Sequence, residues 1–338
     1  MKLLILTLAA LFLWIPQVPA ATGAADYAVA FSQEVTAIAA DGTPYPPKII
    51  DPAKIKGMRE YPFDLGQGRS FLVKTNIKNP DQRGLPQLAE QVTRCVHYVE
   101  QATGRTLGQG ILLYLIEFDT LPLSYFFEAT YPTQDNWGQV RLALIRSGAP
   151  LTGPNAPAEL SELLLDTLPH ELGHDLLATI PALLHDIDGQ KSHHTRWFID
   201  GVCELLAKGS ARQENPEEYR RFLDIRNVGT VLANPEVRDA IFQWGQDNAN
   251  AMGLESDLYG ASLLLLMAWT EKMELPALLQ TLDRAELAYR GPELLALMQT
   301  MTGRDGRQAI LHAEQIGYTL GSEILLASRR AVRPRLGS

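Results

Sequence analysis

Apolar residues recur at Leu88, Val92, Cys95, Val96 and Val99 along residues 86–103, and the pattern stops at Gly104. This three-and-four spacing predicts an amphipathic helix. Residues 70–77 alternate, residues 27–39 do so in part, and 110–118, 124–129 and 139–146 are strand candidates. The stretch 44–62 is rich in proline. From Ala158 onward the periodicity is helical almost to the end. Two helix starts there are well marked: Asn215-Pro216-Glu217-Glu218 and Asn234-Pro235-Glu236 each set a cap, a first-turn proline and an acid in order. Gly253 and Gly291-Pro292 mark breaks between helices. The pattern gives an α+β chain, with a strand-bearing N-terminal half and a mostly helical C-terminal half.

Composition narrows this little. The chain has 338 residues, 46% of them hydrophobic and 20% charged, which is ordinary for a globular protein and long enough for two packing units. The net charge of −9 argues against nucleic acid as a partner, since that requires a basic face. The one basic stretch, Arg329, Arg330, Arg333 and Arg335, reads as a solvated tail within 326–338. At the other end, Lys2 precedes an apolar run over 3–14, and small residues lead up to Ala20. That is the layout of a secretory signal over 1–20. The run is shorter than the roughly 20 residues of a membrane span, and Pro16 interrupts it. The chain is therefore expected to be exported, periplasmic or secreted, with no stable membrane insertion after signal removal. An oxidising compartment permits a disulfide, for which Cys95 and Cys203 are the only pair; two buried free thiols are the alternative.

The chemistry lies in Leu168-Pro169-His170-Glu171-Leu172-Gly173-His174. Two histidines four apart on a helix project from one face, so both imidazoles reach a single ion at about 2.0 Å. Glu171 stands between them as a candidate general base. This is the HExxH pattern of zinc peptidases, and it implies one catalytic zinc held by His170 and His174. Pro169 lacks a backbone donor, so a kink or helix restart is expected there, with Asp166 or Thr167 as the cap. A third protein ligand is needed, with one position left open. Six residues after His174 stands Ile180, which excludes the metzincin arrangement. The next candidate segment is Trp197-Phe198-Ile199-Asp200-Gly201-Val202-Cys203-Glu204, read as a second helix beside the first.

Here the chain resembles the gluzincin peptidases of the thermolysin and aminopeptidase N type. In them a tryptophan and a Glu-Gly pair follow HExxH, and that Glu is the third zinc ligand. Trp197 and Asp200-Gly201 fall in those places, with Asp where the family has Glu. The resemblance implies a metal set of His170, His174 and Asp200. Glu204, one turn on, is then either the partner that fixes a histidine or itself the ligand. Asp200 lies 26 positions after His174, somewhat more than the family's usual gap. The loop between them carries His185, His193 and His194, read as solvent-exposed. Tyr259, at the head of an apolar run with Ser262 three residues on, matches the family's tyrosine that stabilises the oxyanion; packing at a helix start is its other reading.

The resemblance covers about residues 110–305, with a zincin-like core over 110–210 and a helical subdomain over 211–325, behind an N-terminal strand and loop region over 21–109. It implies a zincin-like fold and hydrolysis of a peptide or protein substrate, with Glu171 and Tyr259 as catalytic groups. Trp137-Gly138-Gln139-Val140-Arg141-Leu142 stands where the family's edge strand is expected, but it lacks the acid that binds a substrate's amino terminus. Exopeptidase specificity is thus not supported. A catalytically inactive binding protein of the same fold and a zinc amidase for a non-peptide amide are the rival functions.

Overall fold

The structure, a computed structural model, describes residues 56–118, 125–128, 137–183, 193–245, 253–285 and 288–332. The leading apolar run, the strand candidate at 27–39, His185 and the end of the basic tail lie outside the described residues. The described residues form two compact units. One takes those up to Pro86 together with Gln109–Leu160, and the other takes Gln87–Gly108 and everything from Ser161 on.

The first unit is a five-stranded sheet of β1 (Arg59–Gly66), β2 (Arg69–Thr75), β3 (Gly110–Phe118), β4 (Tyr125–Glu128) and β5 (Trp137–Arg146), in the order β1-β2-β3-β5-β4. The β2–β3 and β3–β5 pairs are parallel, and the outer pairs are antiparallel. The central strand β3 reads GILLYLIEF and buries Ile111, Leu113, Leu115 and Ile116, the near-continuous apolar run of a parallel strand. In β2 the alternation seen in the sequence is kept, with Phe71, Val73 and Thr75 inward. The proline-rich stretch gave no hint of β1, which contains Pro62. It is an edge strand, where a missing backbone donor breaks no second ladder. The segment from Trp137 is likewise not an edge: β5 lies between β3 and β4, and β4 is the edge on that side.

The second unit is helical, with the start of α1 and most of α2 reaching into the first: α1 (Leu85–Thr103), α2 (Ala158–Glu162), a π turn (Leu163–Thr167), α3 (Leu168–Leu177), α4 (Arg196–Glu214), α5 (Pro216–Ile225), α6 (Pro235–Ala240), α7 (Glu255–Thr270), α8 (Leu275–Asp283), α9 (Gly291–Thr302) and α10 (Gly306–Val332). Its core helix is α7, which buries Leu258, Leu263, Leu264, Leu265 and Leu266 on successive faces, as a helix enclosed all round must. Gly201 lets α4 lie against α7: a Cβ there would stand 3.0 Å from the Ser262 carbonyl oxygen and 2.6 Å from Leu266 Cδ2. Trp197, Phe242 and Trp269 meet beside that contact, with ring centres 5.3 to 6.3 Å apart. The two asparagine caps form as expected. Asn215 accepts from the backbone of Glu217 and Glu218, and Asn234 from that of Glu236. No helix among the described residues is long and apolar enough to cross a membrane.

Candidate metal centre

The approach to the histidine motif is continuous. Proline in an α-helix leaves the carbonyl four residues back without a donor and presses its ring against it. At Pro169 the chain takes a π turn instead of stopping, and the Leu168 N–H bonds the Leu163 carbonyl five residues back. Of the kink or restart expected there, the restart is absent and the irregularity is this wide turn, and neither proposed cap is used. Thr167 has helical angles and makes no capping bond, while Asp166 accepts from the Lys208 ammonium.

On α3 the apolar side chains Leu168, Leu172, Leu176 and Leu177 are buried, and Gly173 meets α4. A Cβ at Gly173 would lie 3.2 Å from Cys203 Cα and 2.9 Å from its sulfur. This close crossing lets a carboxylate as short as Asp200 reach the histidines. His170 Nε2 and His174 Nε2 are 3.1 Å apart, and Asp200 Oδ1 is 3.6 and 3.2 Å from them. Bonds of 2.0 to 2.1 Å at tetrahedral angles place donor atoms about 3.3 Å apart, so these three atoms have the spacing that one zinc ion requires.

Glu204 meets the other side of His170: its Oε1 is 3.2 Å from Nδ1. Lys208 donates to Glu204 Oε2 at 2.7 Å and to Asp166, and Arg226 donates to Oε1 at 3.1 Å. Asp200 has a separate cation. Arg196 Nε donates to its Oδ2 at 3.0 Å, Nη1 donates to Glu255 at 2.9 Å, and Nη2 donates to the Tyr259 hydroxyl at 3.0 Å. The Tyr259 ring stands edge-on to His170 with centres 5.7 Å apart. Glu171 is half-buried one residue beyond His170, close enough for its charge to act on that ring.

The charges follow from these contacts. Burial works against ionisation of Asp200, but Arg196 and the two histidines hold its carboxyl well below the usual range. Arg226 and Lys208 do the same for Glu204 against its burial. Burial lowers the histidines, yet Asp200 and Glu204 push His170 up to about 10, and Cys203 and Asp200 push His174 up as well. Burial and the Asp200 charge push the Tyr259 phenol up, so it keeps its proton. The carboxylates Asp166, Asp200, Glu204 and Glu255 are ion-paired with the cations Arg196, Lys208 and Arg226.

The disulfide is not formed: Cys95 and Cys203 are free and buried. Cys203 belongs instead to the histidine group, with donor atoms of His170, His174 and Cys203 all within 4.8 Å of one another. Burial raises its thiol to about 11 and that of Cys95 to about 12. His193 and His194 are half-buried rather than exposed; His194 Nδ1 lies 2.7 Å from the Gln243 carbonyl. Arg196, Lys208 and Arg226 were not singled out from the sequence. Arg196 and Lys208 are each four positions from their carboxylate on α4, a spacing that does mark helical ion pairs, whereas Arg226 comes from beyond α5.

No family model matches the chain, and no curated protein matches it in sequence. Solved structures do. An aminopeptidase N family protein from Idiomarina loihiensis aligns with a TM-score of 0.50 at 10% identity, over 76% of this chain and 46% of that one. Native yeast LTA4 hydrolase aligns over 77% of this chain and 38% of its own, at 12% identity and a TM-score of 0.34, a likeness too slight to argue from. This chain thus spans less than half the length of either neighbour. What the first comparison establishes is a fold shared in part with an aminopeptidase N family protein.

Proposed function

We propose that the chain is an exported zinc metallopeptidase that hydrolyses peptide bonds. The observation that carries this reading is the triangle of His170 Nε2, His174 Nε2 and Asp200 Oδ1, with sides of 3.1, 3.6 and 3.2 Å. These residues would hold the ion, and Glu204 would fix the His170 ring from its far side. Zinc, when bound, supplies Lewis acidity toward a carbonyl oxygen and brings the pKa of a water toward about 7. Glu171 takes the proton of the attacking water as general base and passes it to the departing amine. Tyr259, which keeps its hydroxyl proton, donates to the oxyanion. The name of the first neighbour, an aminopeptidase N family protein, agrees with this reaction class. Export rests on the Lys2-led apolar run, and a peptide or protein substrate rests on the resemblance of the motif.

The test is a metal analysis and an activity assay on one variant. The purified protein is expected to carry about one zinc and to cleave a peptide library until a chelator is added. Glu171→Gln is expected to keep the zinc and lose at least about 100-fold in cleavage. Undiminished cleavage by that variant overturns the mechanism.

A second reading has its own observation. Cys203 lies within 4.8 Å of the histidine donors, and its addition would close the site around a metal that is held but not used, as in a binding protein. A cobalt-substituted sample decides between them. A thiolate-to-cobalt charge-transfer band that vanishes in Cys203→Ser favours the closed site, and a spectrum without it favours the open one.

A further inference from the structure

Arg196, which the motif does not single out, ties together Asp200, Glu255, Tyr259 and Trp244 beside the centre. It opens α4, one turn ahead of Asp200. Its Nε, Nη1 and Nη2 donate to Asp200 Oδ2, Glu255 Oε1 and the Tyr259 hydroxyl at 3.0, 2.9 and 3.0 Å. The guanidinium carbon lies 4.4 Å from the centre of the Trp244 ring, which is itself fully buried. A guanidinium is a rigid plane with its donors in fixed directions. Three acceptors set from one stacked plane are therefore set relative to one another.

Two of those acceptors matter to the reaction proposed above. With Oδ2 occupied by Arg196, the Asp200 carboxylate has one rotation, and only Oδ1 faces the histidines, at 3.2 and 3.6 Å. The Tyr259 oxygen accepts from Arg196, so its own hydrogen has to point elsewhere, and an accepted bond strengthens the bond that the same hydroxyl donates. A lysine could balance the charge of Asp200. It could not also fix the phenol.

We propose that Arg196 is a positioning residue that couples the third metal ligand to the oxyanion donor, holding Asp200 to single-oxygen ligation and Tyr259 as a donor through one rigid plane. The inference rests on the reading of Asp200 as ligand and Tyr259 as oxyanion donor.

The experiment uses the full chain with Arg196→Lys, Arg196→Gln and Tyr259→Phe, and the Lys and Phe changes combined. Zinc affinity is measured by competition with a chelator, and kcat and KM are measured on a peptide recovered from the library. Arg196→Gln is expected to weaken zinc binding about 10- to 100-fold. Arg196→Lys is expected to hold zinc within about threefold of the parent while lowering kcat about tenfold at unchanged KM. Tyr259→Phe lowers kcat about 100-fold in the parent, and about tenfold less than that in the Arg196→Lys background, because the coupling has already been lost there. Losses that multiply in the combined variant overturn the proposal, as does parental zinc affinity in Arg196→Gln. If Arg196→Gln does not fold by circular dichroism, the lysine series decides. Retention of zinc by Asp200→Ala, or a parental kcat in Tyr259→Phe, overturns the assignments beneath the proposal and so separates that failure from the failure of Arg196.

Discussion

Asp200 and Glu204 stand one turn apart on α4, both buried and both held ionised by cations, yet they serve opposite sides of the same imidazole. Asp200 Oδ1 faces the Nε2 atoms of both histidines, whereas Glu204 Oε1 faces only His170 Nδ1. Their cations differ to match. Arg196 ties Asp200 to Tyr259 and Glu255 at one edge of the centre, while Lys208 and Arg226 tie Glu204 back to Asp166 and the helices beneath. Side-chain length does not assign the roles of two carboxylates. The ring nitrogen each one meets does. The shorter acid is at the Nε2 edge because Gly173 brings α4 in, and the longer one extends past the ring to its rear nitrogen.

Substitutions can break this comparison. The largest effect is expected from Asp200→Ala, which should lower zinc affinity by more than about 100-fold, beyond the range for residues that act through a ligand; chelator competition measures it. Next comes Glu204→Ala. It leaves the Lys208 and Arg226 charges without their buried partner, so urea unfolding should show a loss of about 3–5 kcal/mol, along with a smaller zinc defect of about 10- to 100-fold. If instead Glu204→Ala empties the site and Asp200→Ala does not, the two roles are exchanged.

The pH dependence of the metal-free protein sharpens the same contrast. His170 is raised from 6.5 to about 10, so its contribution to stability is complete below pH 6.5 and is lost as the pH rises through 10. Glu204 is lowered from 4.5, so its contribution is complete above 4.5 and is lost as the pH falls. Thermal unfolding of metal-free protein should therefore be most resistant between pH 4.5 and 6.5. Zinc uptake should strengthen with rising pH, since a histidine ligand has to shed its proton. The smallest effect is a control. Asn215→Ala removes a helix cap distant in sequence from the donors and should cost about 1 kcal/mol with zinc affinity unchanged.

The sequence made part of this legible. Spacing alone put His170 and His174 on one face, and the three-and-four pattern, the alternating strands and the two asparagine caps were readable because each depends on neighbours in the chain. The strand β1 was not legible, since whether Pro62 is tolerated depends on its being at an edge, a property of the whole sheet. The free state of Cys203 was also hidden: the possibility of a bond came from counting, whereas the sulfur's place against Gly173 comes from how two helices cross. Of the three missed cations, Arg196 and Lys208 stand four positions from their carboxylates, a spacing that was readable, whereas Arg226 reaches Glu204 only through the fold.

The π turn before the motif is a helix that has taken in one surplus residue. The wide turn takes up that residue without passing its rotation on, so deleting one residue from Leu163–Thr167 would restore ordinary winding and leave α3 facing as it does. If all five residues were wound as ordinary helix instead, α3 would turn by about 100° relative to the helix before it. The letters HELGH would be intact and would face the wrong way. In this chain the five-letter signature depends on the wide turn ahead of it, and a relative with the same signature and a stretch one residue shorter is expected to wind as ordinary helix and keep the metal.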